Sequence, residues 1–259
     1  TTIVHMSENS PTAALDARLK FRGLVAGLSV GHGLKHFVQS TFLMLVPGLK
    51  ETLGLSGLGM GSIQSVQGVS SAISNIPAGA LADIYPNKIR WLLFFSMAMI
   101  GTGYLTLSTA NSYLMVCVAV ALLGFGSNFW HAPAFGTLAA RYPRQRGLAI
   151  SLHLTGAQVG NTTGPFVIGA LLEGFAFSAL GMFEVDIDSV LSWRQISLGV
   201  AAICLATCPI ILSLMSDDDS LKIQTENKFR DYLRAGEKLV RNRHVIGYTA
   251  LGGLRGAVH

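Results

Sequence analysis

The sequence predicts an all-α membrane protein, a bundle of six spanning helices followed by the start of a seventh. Three observations carry this. Apolar stretches recur at 22–46, 58–81, 90–110, 112–138, 147–172 and 193–215, with a further one from 244 to 259. Each of the first six meets the length of about 20 residues that a helix needs to cross a hydrocarbon core, and only closed backbone hydrogen bonding survives in lipid. The composition is 50% hydrophobic and 13% charged, with a mean hydropathy of +0.48, where soluble domains carry about 25% charged residues. Finally, fifteen of the nineteen Lys and Arg fall in alternate connections.

Those connections fix an expected topology. Arg18, Lys20 and Arg22 precede helix 1, Lys88 and Arg90 join helices 2 and 3, and Arg141, Arg144 and Arg146 join helices 4 and 5. Seven more follow helix 6, whereas the opposite side has Lys50 and Arg194 beside Glu51, Glu173, Glu184, Asp186 and Asp188. The positive-inside rule puts the basic side in the cytoplasm. The net charge of +5 is therefore a topology signal, and no nucleic-acid partner is expected. The organisation that follows is a cytoplasmic tail over 1–21, the bundle over 22–215, a cytoplasmic central loop over 216–243 and an incomplete helix over 244–259. The chain stops inside an apolar run at Ala257-Val258-His259, so the expectation is a truncated protein with a missing C-terminal half.

Helix 1 carries Ser29, His32, Lys35, His36 and Gln39. At about 100° per residue the last four share one face. A lysine at mid-membrane costs about 2.5–3.5 kcal/mol on insertion scales, so Lys35 requires either a wet cavity or a partner on another helix. Helix 2 carries Gln64, Gln67, Ser71 and Asn75, and helix 4 carries Gly124, Asn128, His131 and Phe135 along one face. Both stripes suit either cavity lining or interhelical hydrogen bonds. His131 precedes Pro133, which frees a backbone carbonyl one turn back. Helices 3 and 6 are almost purely aliphatic. Helices 1–3 and 4–6 thus echo one another, as in nested three-plus-three repeats. Cys117, Cys204 and Cys208 lie inside helices and read as small packing residues. The loop 173–192 reads as an external loop with interfacial Phe175, Phe177 and Phe183. Within 216–243, the spacing of Leu221, Phe229, Leu233 and Leu239 suits a surface helix.

No complete helix has an Asp or Glu in its interior; the ionisable residues at depth are His32, Lys35, His36, His131, His153 and Arg255. That inventory favours an anionic or polar small molecule, with histidine as the available proton carrier. His32 and His36 stand four apart, as metal ligands do, but no third ligand joins them at ligand spacing, so no metal site is expected. Neither a cofactor motif nor a nucleophile–base pair is visible, and enzymatic activity is not expected.

After helix 2, Gly79-Ala80-Leu81-Ala82-Asp83-Ile84-Tyr85-Pro86-Asn87-Lys88 resembles the loop signature of the major facilitator superfamily, G-x-L-a-D-r-x-G-r-r. Gly79, Leu81, Asp83 and Lys88 fit, while Ile84 and Pro86 replace the basic residue and the glycine. Helix 5 carries Gly156, Gly160, Gly164-Pro165 and Gly169, similar to the superfamily's antiporter-associated glycine motif. Trp130-His131-Ala132-Pro133, the basic loop Tyr142–Gly147 and Ser151-Leu152-His153 are similar to its fosmidomycin-resistance branch. The resemblance covers residues 18–259 and implies the N-terminal half of a twelve-helix, alternating-access transporter in a bacterial inner membrane. It implies proton-coupled efflux of a small anionic or polar compound. Lys35 and Arg255 would attract that compound, Asn128 and Gln39 would orient it, and His32, His36 or His131 would couple protons. Uptake of a small anion, or a non-transporting receptor or scaffold, are the alternatives.

Overall fold

A computed structural model describes residues 11–179, 183–187, 191–215 and 228–257. Its helices are α1 (Pro11–Leu53), α2 (Gly57–Ile84), α3 (Ile89–Ser108), α4 (Tyr113–Arg141), α5 (Arg146–Glu173), α6 (Trp193–Leu214), α7 (Lys228–Val240) and α8 (Arg243–Ala257). The six apolar stretches correspond to α1–α6. α1 starts well inside the segment read as a polar tail and continues through Pro47. The central loop contains α7, and α8 occupies most of the expected seventh stretch. Residues 216–227, 258 and 259 lie outside the described residues.

Helix starts follow local chemistry. Ser56, Ser112 and Ser192 each accept a hydrogen bond from the backbone N–H three residues on, at Gly59, Met115 and Gln195. This satisfies one of the orphan donors of a first turn. Ser192 and Gln195 complete a capping box. The turn from α1 to α2 passes through Gly54 at φ 62°, a left-handed conformation that glycine adopts without strain.

Three helices, α3, α4 and α6, are long and apolar enough to cross a membrane by length and composition. α1, α2 and α5 have ample length at 43, 28 and 28 residues. Their glycines and polar stripes dilute their hydropathy, so the six stretches are less uniform than their lengths suggest. The all-α architecture holds, with one local addition. The loop between α5 and α6 contains an antiparallel hairpin, β1 (Phe175–Ala179) and β2 (Phe183–Ile187), pairing Phe175 with Ile187 and Phe177 with Val185. These aromatic and β-branched residues favour a pleated strand over a helix.

α1 packs chiefly on α5 and α2 on α4, while α3 lies chiefly along α4 and next along α6. All of these contacts run between helices α1–α3 and helices α4–α6. The core runs along α3 and α4 through Leu93, Met97, Ile100, Val116, Ala119, Val120 and Leu123. α1 and α5 meet backbone to backbone. A Cβ at Gly33 would stand 2.8 Å from the Gly156 carbonyl oxygen, one at Gly160 would collide with the Gly33 carbonyl, and one at Gly164 with Ser40. The glycine spacing of α5 is therefore a helix-crossing device, and it sets the position of the histidines on α1 against those on α5.

Candidate functional site

The four polar residues on one face of α1 converge with α4 and α5. Lys35 is only 2% exposed, and its ammonium donates to Gln39 Oε1 at 2.8 Å and meets His131 Nε2 at 3.0 Å. An ammonium can only donate, so His131 Nε2 is the bare nitrogen and its ring proton sits on Nδ1. Gln39 Oε1 also accepts from Ser127 Oγ at 3.5 Å. Among the described residues no carboxylate forms an ion pair with Lys35. The charge is held by neutral acceptors alone, an arrangement that leaves it available to an anion.

Lys35 and Gln39 open on a cavity of about 280 Å³, also lined by Gln64, Gln67 and Ser71 of α2, Ser127 of α4 and Tyr104 of α3. The floor is apolar, from Val38, Phe42, Ile100 and Leu123. The size is near the lower end of small-molecule sites, and an apolar shell with a few placed polar groups is their usual build. Tyr104 hydroxyl donates to the Val38 carbonyl at 2.5 Å, which fixes α3 against α1 beneath the cavity.

Behind Lys35 stands a histidine cluster. His32 and His36 approach through their Nε2 atoms at 3.1 Å, His32 Nδ1 meets the His153 carbonyl at 2.9 Å, and His36 Nδ1 meets Asn161 Oδ1 at 3.1 Å. The His32 and His153 rings stack at 4.0 Å with 7° between their planes, and His131 sits edge-on to His32 at 5.0 Å. Phe135 stacks on His131 and closes the cluster against His153.

Of the residues singled out from sequence, His32, Lys35, His36, Gln39 and His131 come together here. The Asn128 amide instead donates to the Ser71 carbonyl, tying α4 to α2, and the helix 2 stripe divides: Gln64, Gln67 and Ser71 line the cavity while Asn75 is exposed. Gly160 and Gly164 lie in the α1–α5 contact, with Pro165 following in the same helix. A Cβ at Gly79 would have room, meeting only Tyr232 Oη of α7 at 3.9 Å. Asp83 is exposed at the rim of a crevice shared with Pro133 and Thr137. Lys88 holds the N-cap position of α3. Arg255 falls in α8, and its side chain lies outside the described residues.

Two corrections follow. The expectation that no third ligand joins His32 and His36 rested on sequence spacing, and α4 supplies His131, with ligand atoms of all three within 4.8 Å of one another. Its Nε2 is already engaged by the Lys35 ammonium. The other correction concerns α5, from which the sequence counted His153 among the ionisable residues at depth but assigned no residue to substrate or proton: His153 and Asn161 both contact the cluster. Their glycine neighbours were the available signal, because a glycine face on α5 marks the side that meets α1.

Comparison with known proteins agrees with this architecture. The chain is 26% identical over 167 residues to the fosmidomycin resistance protein of Escherichia coli (strain K12), covering 64% of this chain and 40% of that protein. It resembles in fold the crystal structures of the peptide transporter POT with alafosfalin and with sulfate, each at TM-score 0.59 and 18% identity. Those matches cover 92% of this chain and 46% and 45% of theirs, so the chain spans less than half the length of these relatives. The sequence profile of the Major Facilitator Superfamily matches residues 28–256, and the chain belongs to that superfamily of integral, multi-pass membrane proteins.

Proposed function

We propose that the protein is a secondary active transporter that moves a small anionic or polar compound by alternating access, coupled to protons. The observation that carries this is the Lys35 ammonium, buried, held by Gln39 and His131 and facing a cavity without a carboxylate counter-charge. Such a charge attracts an anion at low reorganisation cost. Lys35 binds the substrate, Gln39 with Gln64 and Gln67 orients it, and the imidazoles of His32, His36 and His131 carry the proton. Arg255 adds a second positive charge from the seventh helix. Asn128 serves by holding α4 to α2.

The reading places α1–α6 across the membrane, with the N-terminus and the central segment 216–243 in the cytoplasm. The cavity has one wall in this chain and the other in a C-terminal half, as transporter sites lie between repeats. Efflux is the direction supported by the resistance protein of the comparison. Uptake is favoured by a different observation: the imidazoles of His36 and His131 stand beside Lys35, and a proton taken up by the cluster would add positive charge to the same wall. Proton and anion would then strengthen each other's binding, and that coupling is reciprocal.

The test is substrate-driven proton movement in liposomes holding the protein expressed from its complete reading frame. A panel of small anions is added outside, with a pH dye inside. Acidification of the lumen indicates joint movement and alkalinisation indicates exchange. No saturable proton movement with any member of the panel overturns the reading.

A further inference from the structure

The nitrogens of His32 and His36 require a hydrogen count. Their Nε2 atoms are 3.1 Å apart, a hydrogen-bonded separation that needs one hydrogen between them, because two bare lone pairs repel. His32 Nδ1 faces the main-chain carbonyl of His153 at 2.9 Å. A carbonyl only accepts, so Nδ1 carries the hydrogen and a neutral His32 has a bare Nε2.

His36 then decides the charge. Its Nδ1 lies 3.1 Å from Asn161 Oδ1, while Asn161 Nδ2 points to Gln158 Oε1 at 3.4 Å. In this orientation Nδ1 of His36 also donates, both Nε2 atoms are bare in neutral rings, and the contact closes only with one extra proton. Turning the Asn161 amide over, with the Gln158 amide turning alongside so that its Nε2 meets Asn161 Oδ1, places the Asn161 N–H on His36 Nδ1. His36 then carries its hydrogen on Nε2 and donates to His32, and the pair is neutral. The two orientations exchange oxygen and nitrogen with hardly any heavy-atom movement. One arrangement of atoms thus serves both states of charge.

We infer that His32 and His36 form a single proton-binding site, with one proton shared between their Nε2 atoms, and that the Asn161 amide registers its occupancy by exchanging acceptor for donor. This rests on the transporter reading, for which it names the atoms that take up the coupled proton. An amide is suited to the task because it offers both roles on one pivot, whereas a carboxylate serves only the charged pair and an aliphatic side chain neither. The groups facing the pair are Lys35 on α1, His131 on α4 and the stacked His153 on α5. Tyr104 of α3 is committed to the Val38 carbonyl, and no carboxylate among the described residues contacts the pair. Asn161 and Gln158 are exposed on this half.

The experiment is a pH titration of histidine ¹⁵N signals by solid-state NMR, on the protein from its complete reading frame in lipid vesicles. The His32 and His36 signals are expected to move together at one midpoint, with both Nδ1 atoms protonated throughout the acidic limb. Asn161→Asp is expected to raise that midpoint by about one pH unit or more, the usual effect of an opposite charge at this range. Asn161→Leu is expected to lower it. Separate titration of the two rings overturns the inference, even if no variant folds. An unchanged midpoint in a folded Asn161→Asp protein overturns it too. Proton flux in the same vesicles keeps the two readings apart. Flux with independently titrating rings removes the shared site alone, and a shared site without any substrate-driven flux removes the transporter reading alone.

Discussion

His32 of α1 and His153 of α5 stack face to face, with ring centroids 4.0 Å apart and 7° between the planes. The two residues are 121 positions apart and meet because the helices that carry them touch through bare backbone. The stack turns the His32 edge towards His36 and presents the His153 carbonyl to the other side of the same ring. The chemistry of the cluster is therefore set by a packing feature.

Lys35→Met is expected to leave expression and membrane insertion near normal, because no carboxylate among the described residues loses its partner. Anion affinity is expected to fall by about one to two decades, the worth of a hydrogen bond to a charged group, about 1.5–3 kcal/mol. Lys35→Arg is expected to recover part of it, keeping the charge but changing its shape. Concentration dependence of flux and surface expression are measured side by side; full-affinity transport by Lys35→Met removes the residue from the site.

The glycine contact gives a prediction of sign. Gly160→Ala places a methyl group against the Gly33 carbonyl and is expected to destabilise the bundle by about 1–3 kcal/mol, the cost of overpacking. Gly169→Ala meets nothing within 4 Å and is expected to stabilise it slightly, by up to about 1 kcal/mol of helix propensity. Thermal unfolding in detergent should move down for the first and not for the second. Equal shifts would falsify the crossing account.

Tyr104→Phe removes the hydroxyl that donates to the Val38 carbonyl at 2.5 Å. A loss of about 0.5–1.5 kcal/mol is expected, with little change in the cavity floor. Melting temperature reads the first effect, and an unaltered substrate affinity at permissive temperature reads the second.

Topology is checked by cysteine labelling at exposed positions. Gln145, between α4 and α5, is expected to react only from the cytoplasm, and Asn111, between α3 and α4, only from outside. Both side chains are exposed, whereas Asn87 is 6% exposed and makes a poor reporter. Reaction of Gln145→Cys with an impermeant reagent on intact cells contradicts the charge-derived orientation.

How much was legible follows from what each signal measures. Periodicity and apolar length found α1 to α6 to within a few residues at most ends, because a helix in lipid must be long and continuous. The same period gathered His32, Lys35, His36 and Gln39 on one face. What periodicity on single helices does not encode is which helix lies opposite. His131 joined the site and Asn128 did not, although they are three residues apart on α4, because Ser71 of α2 offers its carbonyl to the latter. For the same reason His153, counted at depth, was given no role, and Asn161 was not singled out. The hairpin after α5 was hidden because its two strands are only five residues each, too short to stand out against a loop.

The backbone contact between α1 and α5 has a mechanical consequence. Side chains that interdigitate can slide by changing rotamer, but carbonyl groups lodged in glycine notches at Gly33, Gly156 and Gly160 have no such slack. The two helices behave as one beam. His32, His36, His153 and Asn161 all ride on it, so their mutual spacing is insulated from any tilt of the remaining helices. Lys35 rides on the same beam but reaches His131 on α4, outside it, at 3.0 Å. A tilt of the beam would lengthen that contact, and the Tyr104–Val38 hydrogen bond to α3 with it.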